Sequence, residues 1–447
     1  MKRKRKKILI VVDHRARDLQ GLTNLAHKLI TVNGYLPIIT QTRNEIRNLI
    51  LHRPNLILMS HVLFSRHFEL VDIAESVGTR IGLLATEGSN DAKTNADILS
   101  LDEFKDRVDL ILTWGKVTED YLKERNIFRK ATINTCGCPR FDFYSNPRLF
   151  ENVDREEFCN RNGLDPAKPI VFWATGTLLA NKESALDEVW ETRLKGRNRS
   201  YKYYHDRYRD NTQVMNYSTG LVEKLSNDFS DEINLVIKVH PQEKITNYDR
   251  LRAQCPSILF VPQSDPFEYY IHQIDILLHF RCSTSFERWL IDINSPTIHM
   301  THQNVIQKND KDHLYKGSDV VEDYDSLYRL VAEYLSGKRV SETQILFRQE
   351  FIKDYLHSGD SKRAEHCAQL IDEYLENVER KYKLHQAVLR RAPKVLAAHL
   401  LKQNKGKHIW KEDHMNFFDK SIFGAIMERL NSAYQTRVKE SDYILDV

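Results

Sequence analysis

Three short stretches carry the residue types that proton transfer and phosphate binding require. Thr86-Glu87-Gly88 follows the apolar run Arg80–Ala85, and Gly88 allows a tight turn that leaves Glu87 projecting. A carboxylate placed there can take a proton from a hydroxyl, a task worth about 10²–10⁴ in rate. The plain alternative is a solvated Glu in a turn. Val239-His240-Pro241 closes a second run, with Lys238 just before it. Proline cannot donate to a strand ladder, so Pro241 fixes where the strand stops and how His240 points. An imidazole in that place can bind a phosphate or protonate a departing oxygen. The third stretch, Arg281-Cys282-Ser283-Thr284-Ser285, opens a helix that bears Glu287. Hydroxyls, free N–H groups and the positive helix end favour an anion, although an N-cap by Ser283 needs no ligand. His240 and this turn fall in the same half of the chain, which points to a phosphate site there.

Two further groups sit after strand-like runs. Asp13-His14-Arg15-Ala16-Arg17-Asp18 offers cations and carboxylates at the edge of an inter-domain cleft, some of them paired with one another. Gly137-Cys138-Pro139-Arg140-Phe141-Asp142 places Arg140 toward that cleft or shapes a crossover. Asp323-Tyr324-Asp325 has a metal-motif look but stands at a helix start, where acidic residues are favoured by the dipole. No metal constellation, glycine-rich phosphate loop, G-x-G-x-x-G or serine elbow is present, so NTPase, dehydrogenase and hydrolase readings lose their support.

The elements that must position these residues are legible as near-continuous Ile, Leu and Val runs alternating with helical patterns. Such runs mark strands buried on both faces of a parallel sheet. The first series is Ile8–Val12, Tyr35–Thr40, Leu56–Ser60, Arg80–Ala85, Leu110–Thr113 and Ala131–Thr135. The second is Ile170–Ala174, Leu235–Val239, Ile258–Val261, Ile276–Phe280 and Thr297–Met300. The expected fold is α/β: two tandem Rossmann-like, doubly wound domains over residues 1–150 and 151–375, then a helical basic extension over 376–447. Helices are expected at 212–229, 283–291, 325–335, 342–355 and 361–383, with Ser341 and Ser361 as N-caps. Residues 176–211, rich in Arg, Lys and Tyr, are long for a loop and suit a functional excursion.

Composition narrows the function classes. The chain has 447 residues, 41% hydrophobic, with 66 Lys and Arg against 62 Asp and Glu. A net charge of +4 is too balanced to make nucleic acid the default partner. Apolar runs fall far short of the roughly 20 residues of a spanning helix. The Lys2–Lys7 basic run precedes only five apolar residues, which suits a solvated flank better than a signal peptide. Six cysteines without a paired framework suit buried, reduced thiols and a cytoplasmic setting. From Arg380 to Lys411 there are ten Lys or Arg and no Asp or Glu, interleaved with apolar residues. That segment suits either an anionic membrane surface or a solvated packed helix.

Taken in order, Val11-Val12-Asp13 with Arg17-Asp18, Thr86-Glu87-Gly88, Trp114-Gly115, Gly137 to Asp142, Val239-His240-Pro241, Cys282 to Glu287 and Asp360-Ser361-Lys362-Arg363-Ala364 resemble the bacterial surface carbohydrate biosynthesis proteins. These are GT-B glycosyltransferases, and the resemblance covers roughly residues 8–375. The Glu-Gly and His-Pro pair is also similar to polysialyl- and Kdo transferases that use CMP-activated sugars. The sequence departs from the pattern at Thr86, often a second acidic residue, and at Cys138, usually Asn. The resemblance implies metal-independent inverting transfer without a cofactor, from a CMP-linked sugar to a glycan on a lipid carrier. It implies Glu87 as base and His240 as the phosphate-side catalyst. Lys238, His240, Pro241, Ser283, Thr284, Ser285 and Glu287 then line the nucleotide, and Asp13, Arg15, Arg17, Asp18, Gly88 and Arg140 the acceptor cleft. A CDP-glycerol or CDP-ribitol transferase shares these features but needs a second histidine, His14 or His61. A similar epimerase needs more cleft carboxylates. A non-catalytic glycan-binding module is the reading from a different class.

Overall fold

The computed structural model describes residues 5–64, 66–88, 92–149, 154–182, 185–191, 200–302, 316–357, 360–400 and 418–446. The chain forms two compact units, Met1–Glu151 together with Phe351–Val447, and Asn152–Glu350.

The first unit is built on β1 (Lys7–Val12), β2 (Leu36–Gln41), β3 (Leu56–Met59), β4 (Arg80–Leu84), β5 (Leu110–Thr113) and β6 (Thr132–Thr135). Ile8, Leu9 and Ile10 are all fully buried because helices cover both faces of the sheet. One face packs against the helix Arg15–Thr31 and the other against Glu45–His52 and Arg66–Ser76, with Leu22, Leu25 and Leu29 on one side and Leu49, Leu70 and Ile73 on the other.

The boundaries expected for the C-terminal half are corrected here. The second unit ends at Glu350 rather than at 375, and the segment after it is part of the first unit, not a separate extension. Helices Arg363–Asn377 and Lys420–Tyr434 bury Cys367, Ala368, Ile371, Phe423, Met427 and Leu430 in the same core as Leu22 and Leu25. The chain then adds a short parallel strand to this sheet at Ile444–Asp446, pairing with β2 in the register Ile444↔Ile38. Hydrophobic periodicity announces these helices but not which core they fill.

The second unit is a six-stranded parallel sheet built from β7 (Ile170–Ala174), β8 (Asn234–Lys238), β9 (Leu259–Val261), β10 (Ile276–His279), β11 (Thr297–Met300) and β12 (Asp319–Val321), in the order β12-β11-β10-β7-β8-β9. Labelling Ile444–Asp446 as β13, the first sheet has seven strands in the order β13-β2-β1-β3-β4-β5-β6. The helix expected from 212 starts earlier, within the 176–211 excursion: Tyr201–Asp228 runs 28 residues, with the Ser200 side chain accepting from the Tyr203 N–H. Its first turns carry few apolar residues and lie largely exposed, so the amphipathic signal begins only near Thr212.

Ser341 caps its helix reciprocally with Gln344, whose N–H donates to Ser341 Oγ at 3.3 Å. Ser361 is not a cap. It sits at φ 57°, and the first N–H groups of the next helix, from Arg363 and Ala364, donate instead to the buried Asp142 carboxylate at 2.9 Å. The motifs around Asp142 and Arg363 are thus a structural lock within the first unit, with both side chains fully buried. All six cysteines are free thiols.

Candidate functional site

At the carboxyl edge of the first sheet, three adjacent strands, β1, β3 and β4, deliver one charged cluster. The turn after β1 starts a helix, and the His14 N–H donates to Asp18 Oδ2 at 2.8 Å. Burial alone would raise the Asp18 carboxyl, yet Arg17, bonded to it at 2.6 Å, and this N–H hold it below the usual carboxylate range. The same guanidinium reaches Glu87 Oε2 at 2.9 Å and Asp13 Oδ2 at 3.5 Å. Glu87 is 73% exposed, at the tip of the turn after β4. Its support is Trp114, whose indole N–H donates to the Ala85 carbonyl and whose ring lies where a Cβ on Gly88 would fall, 2.5 Å away. Gly88 is therefore required by the close approach of Trp114.

After β3, His61 enters the same cluster with Nδ1 2.9 Å from Ser60 Oγ and 4.0 Å from Asp13 Oδ2. Burial pushes the His61 and His14 imidazoles below their ordinary values, so both are neutral near pH 7. Asp13, Arg17, Asp18, Glu87 and Gly88 thus come together at one strand edge. Arg15 instead lies within electrostatic reach of Asp419, the N-cap of the Lys420–Tyr434 helix. Arg140 sits on a turn whose backbone packs on Gly21, with its guanidinium 5.3 Å from the Phe141 ring.

At the carboxyl edge of the second sheet, the loops after β7, β8 and β10 adjoin. The His240 N–H donates to Thr175 Oγ1 at 2.8 Å, and Gln263 Nε2 donates to the His240 carbonyl at 2.8 Å. Within the turn, the Gln242 N–H donates to His240 Nδ1 at 3.1 Å. That bond requires a lone pair on Nδ1, so the neutral ring carries its proton on Nε2.

Behind the loop lies a buried carboxylate that the sequence reading did not single out. Glu243, 6% exposed, accepts from Thr175 Oγ1 at 2.9 Å, the Thr177 N–H at 2.7 Å, Thr177 Oγ1 at 3.2 Å and the Tyr248 hydroxyl at 2.5 Å. It ties the β7 loop to the β8 loop and so positions His240. The signal was a Thr-Gly-Thr after one strand and a Glu three residues past the histidine of the next. Gly176 between the threonines has no room for a Cβ, which would lie 2.4 Å from the Phe280 carbonyl. Lys182 donates to the Gln242 carbonyl and Lys244 to the Asn181 carbonyl, placing two ammonium groups on this edge.

Two expected phosphate ligands serve the scaffold instead. Lys238 is 8% exposed and donates to the carbonyls of Pro262 and Gln263 at 3.1 and 3.3 Å, with burial bringing it down to about 8. It clasps the loop after β9. Ser285 is fully buried, its hydroxyl donated to the Cys282 carbonyl at 2.9 Å. Ser283 and Thr284 remain candidates: Ser283 makes no side-chain capping bond, and the Thr284 hydroxyl is buried beside the Cys282 thiol. Glu287 is 2% exposed in the same helix. Arg281 begins the turn at φ 45°, a left-handed conformation unusual for a non-glycine residue. Asp323 is a helix cap, accepting the Ser326 N–H at 2.7 Å, and the described residues hold no group of three metal-ligand side chains.

No family model matches the chain, and no curated protein sequence matches it. Solved structures do. A protein described as a UDP-N-acetylglucosamine 2-epimerase from Listeria monocytogenes is similar at a TM-score of 0.54 and 11% identity, over 85% of this chain and 98% of that one. The wall teichoic acid polymerase TagF is similar at a TM-score of 0.51 and 11% identity, over 83% of this chain and 90% of that one. A TagF histidine-to-asparagine variant soaked with CDPG gives 0.51 and 10%, covering 83% and 88%. The chain therefore has the two-unit α/β fold of GT-B proteins.

Proposed function

We propose that this chain is a glycosyltransferase that moves a nucleotide-activated sugar onto a hydroxyl of a surface glycan. The observation that carries the reading is the contrast in charge between its two strand edges. In the first unit, one guanidinium stands among Asp13, Asp18 and Glu87, an acidic edge suited to a neutral hydroxyl and to an ionised base. In the second, His240, Lys182, Lys244 and a helix N-terminus stand where the nearby carboxylates, Glu243 and Glu287, are buried. That edge suits the phosphate of a donor.

In this reading Glu87 removes the acceptor proton as the hydroxyl attacks the anomeric carbon, and a single displacement inverts it. His240 donates from Nε2 to the departing phosphate, and Ser283, Thr284 and the helix end share the developing charge. Each charge-assisted hydrogen bond is worth about 1.5–3 kcal/mol. The finer donor assignment, a CMP-linked sugar, rests on the sequence resemblance.

A second reading, transfer of a polyol phosphate from a CDP-linked donor, is favoured by one observation: His61 lies 4.0 Å from Asp13 inside the acidic cluster. There His61 would take the proton and the attack would fall on phosphorus. A thermal-shift panel of CMP, CDP, UDP and GDP, followed by transfer assays with the donors that bind, tests both. The glycosyl reading expects a cytidine nucleotide to raise the melting temperature, the shift to vanish in His240→Ala, and transfer to survive in His61→Asn. Loss of transfer in His61→Asn with full rate in Glu87→Gln selects the polyol-phosphate reading. Glycan binding without turnover of any donor overturns both.

A further inference from the structure

The helix Gln386–Leu400 has two apolar faces, and only one of them is used by the fold. Ala387, Val388, Ala392 and Val395 pack onto the first unit's core, against the helices Glu45–His52 and Arg66–Ser76. Around the helix from that face, Leu389, Pro393 and Leu396 form a second stripe at i, i+4 and i+7. Leu389 is 62% and Leu396 45% exposed, and the preceding Tyr382 and Leu384 are 65% and 72% exposed. Arg390 and Lys394, one turn apart and exposed, border the stripe. The carboxylates nearest this helix are already engaged: Glu69 binds Arg391 at 2.8 and 2.9 Å, Asp72 binds Arg107, and Glu75 binds Arg107 and His385. An ordinary surface helix shows water a polar face. This one shows leucines with cations beside them.

We propose that the outer face of this helix docks on an anionic phospholipid surface. Leu389 and Leu396 would enter the boundary between headgroups and acyl chains, with Arg390 and Lys394 on lipid phosphates. The charge pattern selects this occupant, because no Asp or Glu interrupts the chain from Arg380 to Leu400. Residues 401–411 of the basic segment lie outside the described residues, and the proposal uses none of them. It is independent of the transfer reading, since vesicle binding is measured without turnover.

The test is flotation of the full chain with phosphatidylcholine vesicles, with and without phosphatidylglycerol. The wild type is expected to float only with phosphatidylglycerol vesicles. Arg390→Glu with Lys394→Glu should weaken partition by more than about tenfold, and Leu389→Asp with Leu396→Asp should abolish flotation at an unchanged melting temperature. Should the aspartate variant unfold, Leu389→Trp gives the same answer, its emission moving to the blue on vesicles. Wild type that stays unbound, equal binding to neutral vesicles, a leucine variant that floats normally, or a Trp emission that does not move overturns the proposal.

Discussion

In the first unit one guanidinium holds three carboxylates; in the second one carboxylate holds three residues that donate to it. Arg17 gathers Asp13, Asp18 and Glu87 at an edge where Glu87 is largely solvated. Glu243 gathers Thr175, Thr177 and Tyr248 out of water's reach. The Arg17–Glu87 pair costs little to break, because solvent screens the Glu87 carboxylate. A buried carboxylate and its donors cannot be separated cheaply, because each orphaned group bears its full desolvation cost. The first arrangement suits a side chain that must change partners during a reaction. The second suits a frame that must not move.

The contrast breaks most visibly at Glu243. Replacing it by Ala strands buried donors from three residues, and the second unit should lose about 3 kcal/mol, read as a fall in melting temperature together with loss of nucleotide binding. Glu87→Ala, by comparison, removes only a solvent-screened partner and should leave the melting temperature and the nucleotide-induced shift intact. Equal stability losses in the two variants would erase the distinction.

Lowering the pH should act next most strongly. Burial brings His27 down to about 4 and His67 to about 3 in the first unit, and His272 to about 4 and His279 to about 3 in the second. Their folded values lie below the ordinary 6.5, so the unfolded chain binds more protons between about pH 6.5 and 4. Stability is fully present above that window and is lost as the pH falls through it. Each of these imidazoles should take away on the order of 2 kcal/mol between pH 7 and 5, about 4 kcal/mol per unit, and the second unit should weaken more steeply, since His279 and His299 meet edge to face at 5.1 Å in its core. Glu243 has the opposite sign: burial raises its carboxyl, so its term weakens as pH rises through the folded value. Melting curves at pH 7 and 5 measure the sum.

The smallest effect is at the caps. Ser341→Ala should cost about 1 kcal/mol, whereas Ser361→Gly should cost nothing, because its left-handed backbone suits glycine and Asp142 does the capping. Chemical denaturation midpoints separate the two.

How much the sequence disclosed follows from which interactions are local. The runs Leu110–Thr113, Ile170–Ala174 and Thr297–Met300 are strands to the residue, because continuous buried side chains leave a one-dimensional signature. Asp319–Val321 and Ile444–Asp446 escaped notice, being three-residue strands at or near sheet edges where little is buried. The return of the chain after 350 into the first unit was equally hidden, since an amphipathic helix does not encode which core it fills. Glu87 and His240 were legible as candidates because each lies just past a strand. The direction of Lys238 was not, because the carbonyls of Pro262 and Gln263 that claim it belong to the neighbouring strand's loop. The role of Glu243 left only a faint sequence signal for the same reason: its partners lie as far as 68 residues away in sequence.

Whether Glu87 is the base is decided by steady-state transfer in Glu87→Gln. The amide keeps the size of the side chain and one acceptor for Arg17 while removing basicity. The kcat should fall by about 10²–10⁴, with the donor KM and the nucleotide-induced melting shift unchanged. A variant that transfers sugar at the wild-type rate would contradict that role.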